Sequence, residues 1–226
     1  MTPSVILASG SPQRSEILQK LGVEFEVVVP GVEELAGGDP EAEVLENARI
    51  KANAVAGGGA GAPGRARRPV FRPASSTRKA GRWRKTQHAA GRPRPSSSLV
   101  IACDTDVVLD GKALGKPADE AEAREYLERM SARAHVVMSG LVVLADGEER
   151  SGLERTTVVF KELSEAEIER YVRFGEWRGR SGGYAIQTLG STLVERIEGS
   201  VSNVVGLPVG LLADLAPALL ERGSAA

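Results

Sequence analysis

At 226 residues, with 42% hydrophobic and 26% charged positions, the chain has the make-up of a soluble globular protein, with material for one domain or two small lobes around a real core. No apolar run is long enough to span a bilayer, Met1-Thr2-Pro3 leads into a strand without a basic segment, and the single cysteine excludes an internal disulfide, so a reducing, cytoplasmic setting is expected. Of the 29 Lys and Arg, eleven fall in residues 57–98, which hold no Asp or Glu; the rest of the chain has 18 basic against 30 acidic residues, a net of −12, which makes it a poor candidate for unspecific DNA binding.

In chain order, residues 5–8 read as a buried strand, followed by the small-residue turn Ser9-Gly10-Ser11 and a helix. Ser11 suits the N-cap and Pro12 the first helical position, Ile17, Leu18 and Leu21 share a face, and Gly22 marks the stop. Such a turn aims free N–H groups and a helix N-terminus at one point, which suits a phosphate, and Arg14 adds a planar fork of donors. An ordinary strand–turn–helix whose serines only cap is an equal reading at this point. Phe25, Val27 and Val29 alternate as a half-buried strand. Asp39-Pro40 repeats the cap-and-proline signal and opens a helix whose apolar side is Val44, Leu45, Ala48, Ala52 and Val55. Lys51 lies on that helix, and a solvated lysine is its plain reading.

Residues 57–98 lack apolar periodicity and are dominated by Gly, Pro, Arg and Ser, so they read as a disordered insert. The literal GxGxxG at 59–64 follows a helix and contains Pro63, which rules out a dinucleotide fingerprint. Phe71 and Trp83 among arginines leave stacking on nucleic-acid bases as a weak signal confined to this insert.

A strand resumes at 99–109, with a hairpin turn at Asp110-Gly111. Asp104 and Asp106 lie just past its apolar run, where a carboxylate can hold a divalent cation, activate water, or merely bond backbone in a turn. Lys116 follows the hairpin and can neutralise phosphate charge. Residues 118–130 read as a helix with Tyr126, Leu127 and Met130 inward, and 135–144 as two short strands or one bent at Ser139-Gly140. Asp146-Gly147 turns the chain towards a strand at 156–160. Ser164 and Glu167 form a capping box for a helix to Phe174. A Gly- and Arg-rich loop at 175–183 leads to Tyr184-Ala185-Ile186-Gln187, a strand at 193–197 and a closing helix at 209–220. Strands joined partly by helices and partly by hairpins predict an α/β (mixed α+β) fold, a mixed sheet with flanking helices.

Four separated motifs in order, ILASGSPQR (6–14), ACDTDVVLDGKALGKP (102–117), GGYAIQ (182–187) and VVGLP (204–208), resemble the Maf-like nucleoside triphosphate pyrophosphatases. The similarity covers nearly the whole chain except residues 57–98, and so implies a single domain, 1–226, interrupted by that insert. It implies the family's two lobes around a cleft, as in the Maf and inosine triphosphate pyrophosphatase-like fold, and hydrolysis of a nucleoside triphosphate to the monophosphate and pyrophosphate. By the resemblance Asp104 is the general base, and Ser9, Ser11, Gln13, Arg14, Lys51, Thr105, Lys116 and Gln187 line the substrate. Glu34 and Asp104 would hold a divalent cation, Mg²⁺ or Mn²⁺. Thr105 and Gln187 resemble the branch acting on dTTP and UTP, whereas Gln13 departs from the Arg usual there; 7-methyl-GTP hydrolysis is the alternative within the family.

Two readings from other classes stand beside it. Cys103 and His135 would form a thiol hydrolase pair, or the chain would be a non-catalytic regulator binding nucleic acid through its basic insert. Partners expected under the leading reading are the triphosphate, no membrane, and a second copy of the chain if it forms a homodimer.

Overall fold

The structure, a computed structural model, describes residues 4–57, 70–71, 98–145 and 147–220. β1 (Val5–Leu7) is apolar and buried because it lies between two parallel neighbours, β2 (Phe25–Val27) and β4 (Leu99–Leu109). The helix between β1 and β2, α1 (Pro12–Lys20), starts as its residues demand: Ser11 is the N-cap and Pro12 stands at the first position. It ends with Gly22 at φ 72°, open to glycine at little cost. α2 (Pro40–Ala56) begins the same way, the Asp39 carboxylate accepting from Ala42 N at 3.2 Å.

β2 is shorter than its alternation suggests. Pairing with β1 ends at Leu7–Val27, and Val29, expected inward, is exposed. Beyond α2, β3 (Val70–Phe71) pairs antiparallel with β2, at the edge of the sheet. The remainder of the expected insert, 58–69 and 72–97, lies outside the described residues, as does Asp146 of the expected Asp146-Gly147 turn.

From β4 onward the sheet is antiparallel. β5 (Lys112–Ala113) folds back on β4 through Asp110-Gly111, whose φ values of 54° and 76° make the hairpin the dipeptide signals. α3 (Glu120–Met130) buries Tyr126, Leu127 and Met130 as its spacing requires. β6 (Ala134–Ala145) is one continuous strand, since β4 and β7 (Glu148–Phe160) pair with it along both edges and hold Ser139-Gly140 in line. β7 is far longer than its apolar end at 156–160. Its first four residues, 148–151, are exposed on both faces, and the register with β6 is what makes them strand. α4 (Glu165–Phe174) carries the predicted capping box. β8 (Val194–Glu198), α5 (Val201–Val205), α6 (Val209–Leu215) and α7 (Pro217–Leu220) complete the chain. The expected single closing helix breaks at Ala216 (φ −140°, ψ 60°), because Pro217 lacks an N–H and bars the preceding residue from helical angles.

Among the described residues one sheet results, in the order β3-β2-β1-β4-β6-β7-β8 with β5 beside β4. Its helices flank both faces, as the mixed α/β reading expects. At the parallel end, Leu7, Ile101, Cys103 and Leu141 pack under Leu18, Leu207 and Leu212, while Ile6, Val100, Ala102 and Val142 pack under Ala48, Ala52 and Val55 of α2. At the other end Val107, Leu109, Val137, Val158 and Phe160 share a core with Tyr126, Leu127 and Tyr171. Among the described strands β4 and β6 contribute to both cores, and a cleft of about 660 Å³ lies where one gives way to the other. None of the helices is long and apolar enough to cross a membrane, among the described residues.

Candidate active site

One edge of β4 is paired with β6 from Val100 to Val108, but on its other edge β1 reaches only Ile101 and β5 starts at Val108. The stretch Cys103-Asp104-Thr105-Asp106 falls in this gap, just beyond the carboxyl end of a parallel strand, where open α/β sheets bind ligands. Side chains alternate along it. Asp104 and Asp106 continue the face of Val100 and Ala102, towards α2, while Thr105 continues the face of Cys103, towards α1 and α5.

On the α2 face, Lys51 Nζ lies 2.5 Å from Asp104 Oδ1 and 2.7 Å from Glu34 Oε1. The solvated-lysine reading therefore fails: the Lys51 side chain is only 8% exposed and bridges two carboxylates. One turn earlier, Asn47 Nδ2 donates to Asp104 Oδ2 at 3.1 Å and to the Leu35 carbonyl at 3.1 Å, while its Oδ1 accepts from Leu35 N at 2.7 Å. Asn47 thus fixes both Asp104 and the loop carrying Glu34. Reading the helix for apolar periodicity passes over it, although a polar residue at a buried position, four before Lys51, is a signal in the sequence. α2 comes this close because the residue opposite Asp104 is Gly140, where a Cβ would stand 2.3 Å from the Val44 carbonyl oxygen.

On the other face Arg14 is buried and spends all three guanidinium nitrogens: Nε on the Gly206 carbonyl (2.8 Å), Nη1 on Ser9 Oγ (3.1 Å) and Nη2 on Thr105 Oγ1 (3.0 Å). Thr105 Oγ1 also lies 2.8 Å from Ser139 Oγ. Arg14 therefore ties the turn after β1, the β4 rim and the loop after α5 into one wall. Ser9 Oγ accepts from Ser11 N as well (3.1 Å), and Ser11 Oγ donates to Gln13 Oε1 (3.1 Å). Ser9, Ser11, Gln13, Arg14, Glu34, Lys51, Asp104, Thr105, Lys116 and Gln187 all line the same cleft. Lys116 and Gln187 are exposed at its rim.

Asp106 behaves as the plain backbone-bonding reading anticipates. Its Oδ1 accepts from Val107 N (2.8 Å), Gly115 N (3.2 Å) and Ser181 Oγ, and burial pushes its carboxyl above the usual carboxylate range. Tyr184, between Gly183 and Gln187, stands on His135, its hydroxyl 2.8 Å from Nε2. Burial pushes the His135 pKa down to about 4, so the ring is neutral at pH 7.

The thiol pair does not exist. Cys103 pairs across the sheet with Leu141, six residues along β6 from His135, or roughly 20 Å of strand. Burial raises the Cys103 pKa, so the thiol is inert at neutral pH.

Among the described residues no three His, Cys, Asp or Glu side chains gather as a metal cage. The donor set is two carboxylates, Asp104 and Glu34, and each Asp104 oxygen keeps a lone pair beyond its bond to Lys51 or Asn47. Such a pair fits Mg²⁺ or Mn²⁺, which take one or two carboxylates and complete their shell with water and phosphate oxygens.

The chain is similar to known proteins over nearly its whole length. The chain is 41% identical over 211 residues to a dTTP/UTP pyrophosphatase of Deinococcus radiodurans, covering 93% of this chain and 90% of that protein. It is 36% identical to proteins of the same name from Dictyoglomus thermophilum, over 92% of each chain, and Bacillus cereus, over 92% and 91%. Residues 4–219 match the model of the Maf-like protein family, and with those relatives the match shows that the chain belongs to it.

Proposed function

We propose that the protein hydrolyses dTTP and UTP to the monophosphate and pyrophosphate. The observation that carries this reading is Asp104, held by Lys51 and Asn47 at a strand edge unpaired among the described residues, facing the Ser9-Gly10-Ser11 turn across one cleft. The names of the relatives support the substrate pair.

In this mechanism the triphosphate lies in the cleft with its α-phosphorus near Asp104. Asn47 and Lys51 hold the Asp104 carboxylate in one orientation, so its free lone pair takes a proton from the attacking water. The water oxygen bonds to the α-phosphorus, the bond from that phosphorus to the bridging oxygen breaks, and the electron pair leaves with pyrophosphate. Preorganised charge at Lys51 and Lys116 lowers the barrier, because it need not reorganise as charge develops. Asp104 and Glu34 would hold the divalent cation, which when bound neutralises phosphate oxygens. Arg14 acts by fixing the phosphate-binding turn against Thr105, and the exposed amide of Gln187 offers a donor and an acceptor to a pyrimidine edge.

Pyrophosphate release across a nucleotide panel tests the reading. UTP and dTTP are expected to outpace ATP, GTP and 7-methyl-GTP, since each buried polar group left unpaired costs about 1–3 kcal/mol. A panel led by 7-methyl-GTP would overturn the base assignment.

A further inference from the structure

The cleft's cations are not alike. Lys51 is matched by Glu34 and Asp104, and Arg14 is bonded to a hydroxyl wall and a carbonyl. Lys116 and Arg180 also line the cleft, and neither makes a salt bridge among the described residues. They come from segments distant in sequence yet stitched together: Gly182 N donates to the Gly115 carbonyl at 2.7 Å, and Asp106 Oδ1 accepts from both Gly115 N and Ser181 Oγ. Each unmatched cation is therefore the immediate chain neighbour of a residue in the stitch. Gly182 adds to the tightness, since a Cβ there would stand 2.7 Å from Val107 Cβ.

Two cations on joined loops, neither in a salt bridge among the described residues, suit a ligand with at least two adjacent negative charges. We propose that Arg180 pairs with Lys116 as the binding site for the outer two phosphates of the triphosphate, and that Asp106 is the positioning residue that holds the pair together. This deepens the pyrophosphatase reading and rests on it for the orientation of the substrate: nucleoside and α-phosphate at Asp104, leaving pyrophosphate at Lys116 and Arg180. An arginine there can grip two oxygens of one phosphate with a planar fork, a fixed geometry that a lysine's ammonium lacks.

Calorimetric titration of the full-length protein with inorganic pyrophosphate and, separately, with dTMP tests it. Arg180→Ala is expected to weaken pyrophosphate binding by about ten-fold or more, the scale of one charge-assisted contact, and to leave dTMP binding within about two-fold. Arg180→Lys should recover part of the loss. Asp106→Ala should show the same selective loss with Arg180 intact, whereas a merely structural role would weaken both ligands together. Unchanged pyrophosphate affinity in Arg180→Ala, equal losses for both ligands, or no pyrophosphate binding by the wild type would overturn the proposal. If pyrophosphate binding depends on Arg180 but the wild type releases none from UTP or dTTP, the activity reading fails while the anion site stands.

Discussion

At the scale of the residue, the site depends on what surrounds each carboxylate. Asp104 and Asp106 are two positions apart on one face, yet their surroundings separate their tasks. Asp104 keeps lone pairs towards the cleft beside a lysine and an amide, while Asp106 spends one oxygen on three donors. Asp104→Asn preserves shape and removes the proposed base, so turnover should fall by about 10²-fold or more with nucleotide binding retained. Steady-state assays and equilibrium binding on the same preparation check this. Cys103→Ala should remain near wild-type turnover, because the buried thiol bonds only the Gly206 carbonyl and its own strand. His135 supplies a pH signature. Its pKa is about 4 in the folded chain against 6.5 when exposed, so between these values the unfolded chain takes up a proton that the folded one refuses. Stability from this group is complete above about pH 6.5 and is lost as pH falls towards 4, by up to about 3 kcal/mol. In thermal melts across pH 4–7 the wild type should lose stability towards acid relative to His135→Phe. Parallel curves would contradict it.

At the scale of the element, helices with chemical punctuation were legible and strands made by their neighbours were not. Ser11-Pro12, Asp39-Pro40 and the Ser164–Glu167 box each mark a helix start because a side chain or a missing N–H settles the backbone locally. The polar half of β7 carries no such mark, since its pairing to β6 is decided by residues on another strand. Asn47 escaped for a related reason: its value lies in reaching Asp104, 57 residues away. The motif residues themselves were legible by resemblance, while the division of labour among Arg14, Thr105 and Ser139 needed the packing of two faces of β4. The crossing of α2 over β6 gives this scale its prediction. Gly140→Ala places a methyl into the Val44 carbonyl, so α2 must move away from the sheet. Stability should fall by about 1–3 kcal/mol, the cost of overpacking. kcat should fall with it, because Lys51 and Asn47 ride on the displaced helix. Chemical denaturation with a parallel kcat measurement reads both, and a destabilised variant with unchanged kcat would separate helix position from catalysis.

At the scale of the whole molecule, the two ends of the sheet carry separate cores, and the proposed substrate cleft lies between them across strands that belong to both. Residues 58–97 connect α2 to β4, two elements that meet at Lys51 and Asp104. Of these residues only 70–71 form strand among those described, on the sheet edge at β2, away from Asp104. The composition of this stretch, rich in Arg, Gly and Pro without acidic partners, offers no core of its own. Lengthening a loop costs little, about 0.6 kcal/mol per doubling. Replacing 58–97 by a short Gly/Ser link should therefore keep kcat/KM within a few-fold, roughly 1 kcal/mol in transition-state terms. A folded but inactive shortened protein would place this segment in the active site. In the proposed chemistry water attacks the α-phosphorus under the control of Asp104. The most direct measurement of this is turnover of UTP in ¹⁸O-labelled water, with the products separated and weighed by mass spectrometry. UMP carrying the label and unlabelled pyrophosphate are expected; label in the pyrophosphate, or release of orthophosphate in its place, would overturn attack at the α-phosphorus.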